Sequence, residues 1–130
     1  MKKFTSTLIL LIVLFALAQL IRPSFKDPSV TLDALVPDSV KAVFKKGCYD
    51  CHSNETDLKW FAKITPANFL VASHVRDGRK ALNFSNWDSL DAGAQKGKLF
   101  WAVHDIRNKE MPLKSYLMLH GAASLDAHDL

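Results

Sequence analysis

The apolar positions of this chain form one long run near the start and several shorter periodic stretches after it. From Phe4 to Ile21 the run is interrupted only by three hydroxyl residues at its beginning and by Gln19. A helix over these positions would be about 27 Å long, which matches the hydrocarbon core of a bilayer. Because Lys2 and Lys3 precede it, the pattern predicts an uncleaved signal anchor with a cytoplasmic N-terminus.

A cleaved signal peptide is the competing interpretation of the same run. Ala16-Leu17-Ala18 offers an Ala-x-Ala cleavage site. The apolar run continues beyond that site to Ile21, which favours the anchor. Both interpretations export the remainder of the chain. With the favoured anchor, we expect a single-pass protein of the inner (cytoplasmic) membrane whose domain faces the periplasm.

Prolines mark the division of the chain after the apolar run. Residues 22–37 contain three prolines and little hydrophobic periodicity, which is typical of a linker. We therefore predict an anchor with its flank over residues 1–26, a tether over 27–37 and one small domain over 38–130.

Helical periodicity recurs through the predicted domain. Apolar residues at i, i+3 and i+4 predict a helix that begins at residue 38 or 39, capped by Asp38 or its neighbour, and ends just before Cys48. Thr65-Pro66 predicts the start of a second helix. Gly78 is expected to end that helix in the left-handed conformation.

The longest predicted helix of the domain lies further along the chain. It should begin at Ser89 or Asp91 and run to about residue 108, with four apolar side chains facing inward: Leu99, Phe100, Val103 and Ile106. A short helix should come next, over 113–120. Ser124 resembles the cap of a last helix, which the chain would leave truncated after about one turn. No stretch is typical of a buried parallel strand, so the predicted fold class is all-α.

Charge narrows the range of partners. The chain carries 17 basic and 13 acidic residues. Four of the basic residues lie within the first 26 positions and all of the acidic ones lie after them, so the remainder of the chain is formally neutral. A nucleic-acid-binding role has no support from such a distribution.

The chemistry of the chain centres on Cys48-Tyr49-Asp50-Cys51-His52. Cys-x-x-Cys-His is the attachment pattern of a c-type haem. Two thiols at this spacing reach the two vinyl groups on one porphyrin edge and become thioethers. The adjoining His52 then lies under the iron, where its imidazole can be the proximal ligand. The pattern predicts one haem c, attached through Cys48 and Cys51.

Two other interpretations of the cysteine pair compete with haem attachment. A thioredoxin-like redox pair normally lies in a βαβ context, which the chain lacks. A zinc site needs two further ligands, and with two cysteines in all these would be distant histidines. The histidine that directly follows Cys51 favours haem over both.

A second axial ligand must be a thioether or an imidazole. The candidates are Met111, Met118, His74, His104, His120 and His128. Met111 precedes Pro112 after a predicted helix end, on a loop that can fold over the iron, and is our predicted ligand. Met118 lies in an apolar run and is expected to be core filler. His74, on a predicted helix that lines the pocket, is the rival, and an iron without a second protein ligand remains a third alternative.

Arg76 and Arg79 are candidate partners for the haem propionates. A guanidinium group matches a carboxylate in geometry and charge. The alternative is that both are solvated charges at a helix end.

Residues beyond the haem motif resemble those of a known family. The positions that carry the resemblance are 48–56, Trp60-Phe61, Pro66, His74-Val75, Gly78-Arg79, Leu82-Asn83-Phe84-Ser85, Trp87, Met111-Pro112, Tyr116 and His120. Together they are similar to the small bacterial haem-binding domain family of membrane-anchored c-type cytochromes. The resemblance implies a cytochrome c-like helical fold around a covalent haem. It implies no particular substrate.

Three functions are compatible with these features. His52 and Met111 together would saturate the iron, which favours a one-electron carrier over a catalyst. An open or displaceable distal position, with His74 as an acid–base group, would instead suit a peroxidase-like enzyme or a gas or redox sensor. The domain could also be the haem subunit of a larger oxidoreductase. The redox partner is not specified by the sequence.

Overall fold

The computed structural model describes residues 2–23, 27–126 and 128–129. Six α-helices occur in these ranges: α1 (Lys2–Ala18), α2 (Asp38–Gly47), α3 (Tyr49–His52), α4 (Ala67–Ala81), α5 (Ala92–Arg107) and α6 (Lys114–Leu117). Three short 3₁₀ turns are also present, at Trp60–Lys63, Trp87–Ser89 and Gly121–Ala123. No strand is present in the described ranges, and the bridge between Leu32 and Asn86 is isolated. The prediction of an all-α protein is confirmed.

The contacts divide the chain into two compact units. The first contains the described residues within Met1–Lys26 and Asp57–His74, and the second those within Asp27–Thr56 and Val75–Leu130. In the first unit, Gln19 Oε1 accepts a hydrogen bond from the Thr65 backbone N–H at 2.9 Å. The Gln19 amide nitrogen donates to the Thr65 carbonyl at 3.2 Å, and the Thr65 hydroxyl donates to the Ile21 carbonyl at 3.1 Å.

The predicted membrane anchor is wrong. None of the helices in the described ranges is both long enough and apolar enough to cross a bilayer. α1 has 17 residues, its first turns carry Lys2, Lys3 and three hydroxyl residues, and it ends at Ala18 instead of continuing to Ile21. The predicted location, with a single pass through the inner membrane and a domain on the periplasmic side, is corrected with it.

Phe84 is the centre of the second unit. Its side chain is 1% exposed, and its ring stacks on Phe44 at a centroid distance of 4.3 Å. Tyr49 and Trp87 stack on it at 5.6 and 6.0 Å. With Ala34, these rings form the apolar cluster of this unit.

Residues 31–34, which the sequence suggested as part of a tether, lie alongside residues 84–87. The Ala34 N–H donates to the Phe84 carbonyl at 2.9 Å, and the Trp87 N–H donates to the Leu32 carbonyl at 2.9 Å. Ala34 is only 2% exposed. This extended segment therefore covers one side of the aromatic cluster.

Two helix predictions need correction. α4 does not end at Gly78 but continues to Ala81, and no described glycine has a positive φ. On α5, Asp91 caps the N-terminus as predicted, accepting a hydrogen bond from the Ala94 N–H at 2.8 Å. Phe100 was predicted to face inward, yet 66% of it is exposed; Val103, likewise predicted inward, is 38% exposed.

Candidate functional site

The Cys-x-x-Cys-His segment forms a single helical turn that comes almost directly after α2. The Cys48 N–H still donates to the Phe44 carbonyl of α2 at 2.8 Å. The His52 N–H in turn donates to the Cys48 carbonyl at 2.9 Å, which closes α3. Cys48, Cys51 and His52 are all half-buried in this turn. The helical turn brings the two thiols and the imidazole together within five residues.

Backbone groups of α4 and of Leu82, the residue after the C-terminal end of α4, fix the orientation of the His52 ring. Its Nδ1 lies 3.0 Å from the carbonyl oxygen of Leu82. A carbonyl oxygen can only accept, so Nδ1 carries the proton and the lone pair of the neutral ring lies on Nε2. Burial lowers the pKa of His52, and backbone hydrogen bonds to Leu82 and Gly78 oppose that lowering only in part. The ring is therefore held neutral with Nε2 available, which is the form that binds a metal.

Gly78 allows α4 to approach this turn closely. A Cβ atom at this position would lie 2.5 Å from the carbonyl oxygen of Cys51, far inside van der Waals contact. The glycine is therefore required by the close approach of two backbones and has no role in ending the helix.

A cavity of about 260 Å³ adjoins the motif. Most of its lining is apolar and comes from four parts of the second unit, namely the end of α2 with Cys48 and His52, residues 81–84, α5, and the segment after α5. The residues that line it are Phe44, Gly47, Cys48, His52, Ala81, Leu82, Phe84, Lys98, Trp101, Ala102, Asp105, Ile106, Met111, Pro112 and Leu125. The predicted ligands His52 and Met111 thus border the same space.

Met111 is presented by the turn that ends α5. Lys109 has φ 59°, in the left-handed region, and its N–H donates to the Ile106 carbonyl at 3.0 Å. The Glu110 N–H donates to the Asp105 carbonyl at 2.9 Å. These two bonds form a Schellman motif, which normally has glycine at the left-handed position. The Met111 N–H donates to the same Asp105 carbonyl at 3.2 Å, so the thioether comes directly after a hydrogen-bonded turn.

The surroundings of the two thiols favour their neutral form. Burial, with a contribution from Cys51, raises the pKa of Cys48 to about 12. Burial and the charge of Asp50 raise the pKa of Cys51 to about 11 against the opposing charge of Arg79. A thioredoxin-like pair needs a lowered thiol pKa, which is the opposite direction. The described residues also contain no cluster of three or more His, Cys, Asp or Glu side chains able to hold a metal ion.

Arg79 contacts the segment after the motif. Its Nε donates to the Ser53 carbonyl at 2.7 Å, and its terminal nitrogen donates to the Thr56 hydroxyl at 2.9 Å and pairs with Asp27. Arg76 is exposed and pairs with the neighbouring Asp77 at 3.3 Å. Neither arginine lines the cavity. Their proposed contact with propionates stays a prediction.

The other candidate ligands fall outside the cavity lining. His74 lies on the part of α4 that belongs to the first unit. Met118 is 84% exposed and not core filler. The His120 ring stacks on Tyr116 at a centroid distance of 4.0 Å, and His104 and His128 are exposed.

Sequence patterns missed a polar network that holds the segment after the motif. The buried Ser85 hydroxyl accepts a hydrogen bond from the Asn54 N–H at 2.9 Å. Asn83 donates its side-chain amide to the Asn54 side-chain oxygen at 2.8 Å, and the Phe84 N–H donates to the His52 carbonyl at 2.8 Å. Ser85 and Asn54 are 31 residues apart, so no local pattern could have paired them.

Tyr116 connects α6 to the motif. Its hydroxyl donates to Asp50 Oδ2 at 2.7 Å. Burial raises the pKa of Tyr116, and the hydrogen bond to the Asp50 carboxylate raises it further, so the hydroxyl stays protonated and donates. The segment after Met111 is thus anchored to a residue between the two cysteines.

One of three comparisons with known proteins gave a match. A search of curated proteins and a search of solved structures each found no match. A scan of protein families matched residues 8–130 to the family described as the haem-binding domain. Because that match covers nearly the whole chain, the protein belongs to the haem-binding domain family.

Proposed function

We propose that this haem-binding protein is a one-electron carrier. A single haem is attached through Cys48 and Cys51 and is coordinated by His52 and Met111, in a helical fold of the cytochrome c type. The observation that carries the proposal is that His52, with its Nε2 lone pair available, and Met111 line one largely apolar cavity. When bound, the haem supplies an iron centre that changes oxidation state by one electron.

The residues of the chain have distinct tasks in this proposal. The thiols of Cys48 and Cys51 are consumed as thioethers, and their burial keeps them from competing thiolate chemistry. His52 is an imidazole ligand whose orientation is fixed by Leu82. Apolar lining excludes water, and Met ligation places a haem towards the high-potential end of its range. With both axial positions filled by side chains, the site favours electron transfer over bond chemistry.

Absorption spectra of the oxidised holoprotein test the ligand assignment. Wild type should be low-spin and show a weak long-wavelength sulfur-to-iron band. Met111→Ala should lose that band, whereas Met118→Ala, which alters an exposed thioether, should keep it. A high-spin wild type would refute the electron-carrier proposal, since it would show an iron with an open position.

Covalent attachment is tested separately by extracting the haem with acidified organic solvent. Haem should stay with the wild-type polypeptide and leave the Cys48→Ala/Cys51→Ala variant. Complete extraction from wild type would show that the two thiols are not the points of attachment.

A further inference from the structure

α5 carries large aromatic side chains on its outer surface. Phe100 is 66% exposed and Trp101 is 58% exposed. Their rings meet edge to face at a centroid distance of 5.8 Å, and Trp101 contacts the His104 ring in the same way at 5.1 Å. Single exposed apolar residues are ordinary, but adjoining aromatic rings form a patch of the kind that marks interaction sites.

Trp101 also lines the cavity beside His52 and Met111. The same side chain therefore borders the proposed haem site and the solvent. Trp101 is therefore one point at which the lining of the cavity reaches solvent. A redox partner seated on the aromatic patch would lie one side chain away from the site.

The charge along α5 is mainly positive. α5 contains three cations, Lys96, Lys98 and Arg107, and one carboxylate, Asp105. Lys98 and Asp105 line the cavity, and Lys98 donates to the Ala81 carbonyl at 2.6 Å. Lys96 and Arg107 are exposed, and within the described residues neither makes an ion pair.

Helical spacing places both exposed cations on the side of Phe100. Lys96 precedes Phe100 by four residues and Arg107 lies seven residues after it, which are one and two turns along the same face. Gly97, which directly follows Lys96, leaves open space on the helix surface, since a Cβ atom there would meet nothing within 4 Å. The face formed by Lys96, Phe100, Trp101 and Arg107, here called the α5 face, is therefore apolar at its centre and basic at both ends.

We propose that the α5 face docks a protein redox partner that presents an apolar patch bordered by carboxylates. The proposal rests on the electron-carrier function above and names the partner's chemistry. Complementary charge steers such partners together and fixes their orientation, and the aromatic centre provides the apolar contact. A second copy of the chain fits less well, because a symmetric pair would bring the cations of one α5 face against those of the other.

Stopped-flow oxidation of the reduced holoprotein by an acidic blue-copper protein tests this assignment. One electron passes from the protein to the cupric centre, with no bond formed or broken. The wild-type second-order rate constant should fall as salt is raised. Lys96→Glu/Arg107→Glu should lower the rate constant about tenfold at low salt and reverse the sign of the salt dependence. Phe100→Ser should lower it at every salt concentration.

A matched control distinguishes the effect of charge on the α5 face from the effect of net charge on the rate constant. Lys45→Glu/Lys80→Glu makes the same change in net charge at exposed positions on α2 and α4 and should reduce the rate constant much less. Equal effects of the two double variants, or a wild-type rate independent of salt, would overturn the α5 face. So would a wild-type dimer that Phe100→Ser dissociates, because the face would then belong to a second copy.

Oxidation by a small uncharged quinone distinguishes the two proposals. All variants should react with the quinone at the wild-type rate, which shows an intact haem site. A wild type that reacts with neither oxidant would refute the electron-carrier function itself. If Lys96→Glu/Arg107→Glu reacted normally with the quinone and kept the wild-type rate constant with the blue-copper protein, only the docking surface would be refuted.

Discussion

Replacing Gly78 with alanine tests two opposite effects on stability, the helix propensity of the new residue and its steric overlap with the backbone of Cys51. Gly78 lies inside α4, where alanine is intrinsically better than glycine by about 1 kcal/mol. Propensity alone therefore predicts a more stable protein. The structure predicts the opposite, because the new methyl group would lie 2.5 Å from the Cys51 carbonyl oxygen, which is backbone and cannot rotate away.

The size of the effect can be worked from the overlap. Ordinary contact of a Cβ atom begins at 3.4 Å, so α3 and α4 would have to separate by roughly 0.9 Å. Overpacking of this kind costs about 1–3 kcal/mol, which equals or exceeds the gain in propensity of about 1 kcal/mol. A shift taken up at His52 would stretch its 3.0 Å bond to the Leu82 carbonyl towards about 3.9 Å, beyond hydrogen-bonding distance. Both stability and the orientation of the imidazole should suffer.

Urea unfolding of the holoprotein, monitored by circular dichroism, measures the first effect. We expect Gly78→Ala to lower the free energy of unfolding by up to about 2 kcal/mol at an unchanged m-value, which is the overpacking cost less the gain in propensity. Gly97→Ala is the matched control, since the same change in α5 meets open space and should raise the free energy by about 1 kcal/mol. The amount of covalent haem per polypeptide should fall only in Gly78→Ala. If Gly78→Ala proved as stabilising as Gly97→Ala and carried full haem, the close approach of α4 to Cys51 would be refuted.

Two further predictions concern the surroundings of the site. Ser85→Ala leaves the Asn54 N–H buried without its acceptor and should lower the free energy of unfolding in urea by about 1–3 kcal/mol. A loss well below this range would contradict the buried hydrogen bond. Burial alone would raise the pKa of Asp33. Hydrogen bonds from Lys41 and Tyr49, together with the charge of Lys41, outweigh this effect, so the pKa in the folded protein lies below the ordinary 3.8. Asp33 therefore stabilises the fold above about pH 3.8 and loses this effect as the pH falls through its folded pKa. Asp33→Asn should be less stable than wild type at pH 7 and approach it below pH 3.8, and a stability difference independent of pH would show that the carboxylate charge is not responsible.

The end of α2 just before Cys48 and the cap of α5 could be predicted because both depend on neighbours in sequence. Lys45, Lys46 and Gly47 close α2 directly before the Cys-x-x-Cys-His segment. Asp91 caps α5 through a bond to a residue three positions away. Such interactions are visible in a string of residues since the backbone geometry between the partners is regular.

Other features could not be predicted because they depend on distant segments. Apolar residues occur all round α5, so periodicity could not decide that Phe100 faces outward while Ile106 faces the cavity. Hydropathy over residues 4–21 counted apolar side chains but could not show that the helix ends at Ala18. The local rule for glycine at a helix end misplaced Gly78, whose neighbour across the contact is Cys51.

Residues 78–85 act together as a support for the haem motif and the turn after it. Each contact joins a residue of this segment to one within 51–56: Gly78 to Cys51, Arg79 to Ser53 and Thr56, Leu82 and Phe84 to His52, and Asn83 and Ser85 to Asn54. Most of these contacts are made to backbone atoms, so they fix the path of the motif as well as its side chains. The polar residues of the segment keep their hydrogen bonds because a buried polar group that loses its partner costs its full desolvation free energy. The end of α4 and the loop after it thus set the direction of the His52 ring within the protein itself, which is the condition for a ligand that needs no reorganisation on binding a metal.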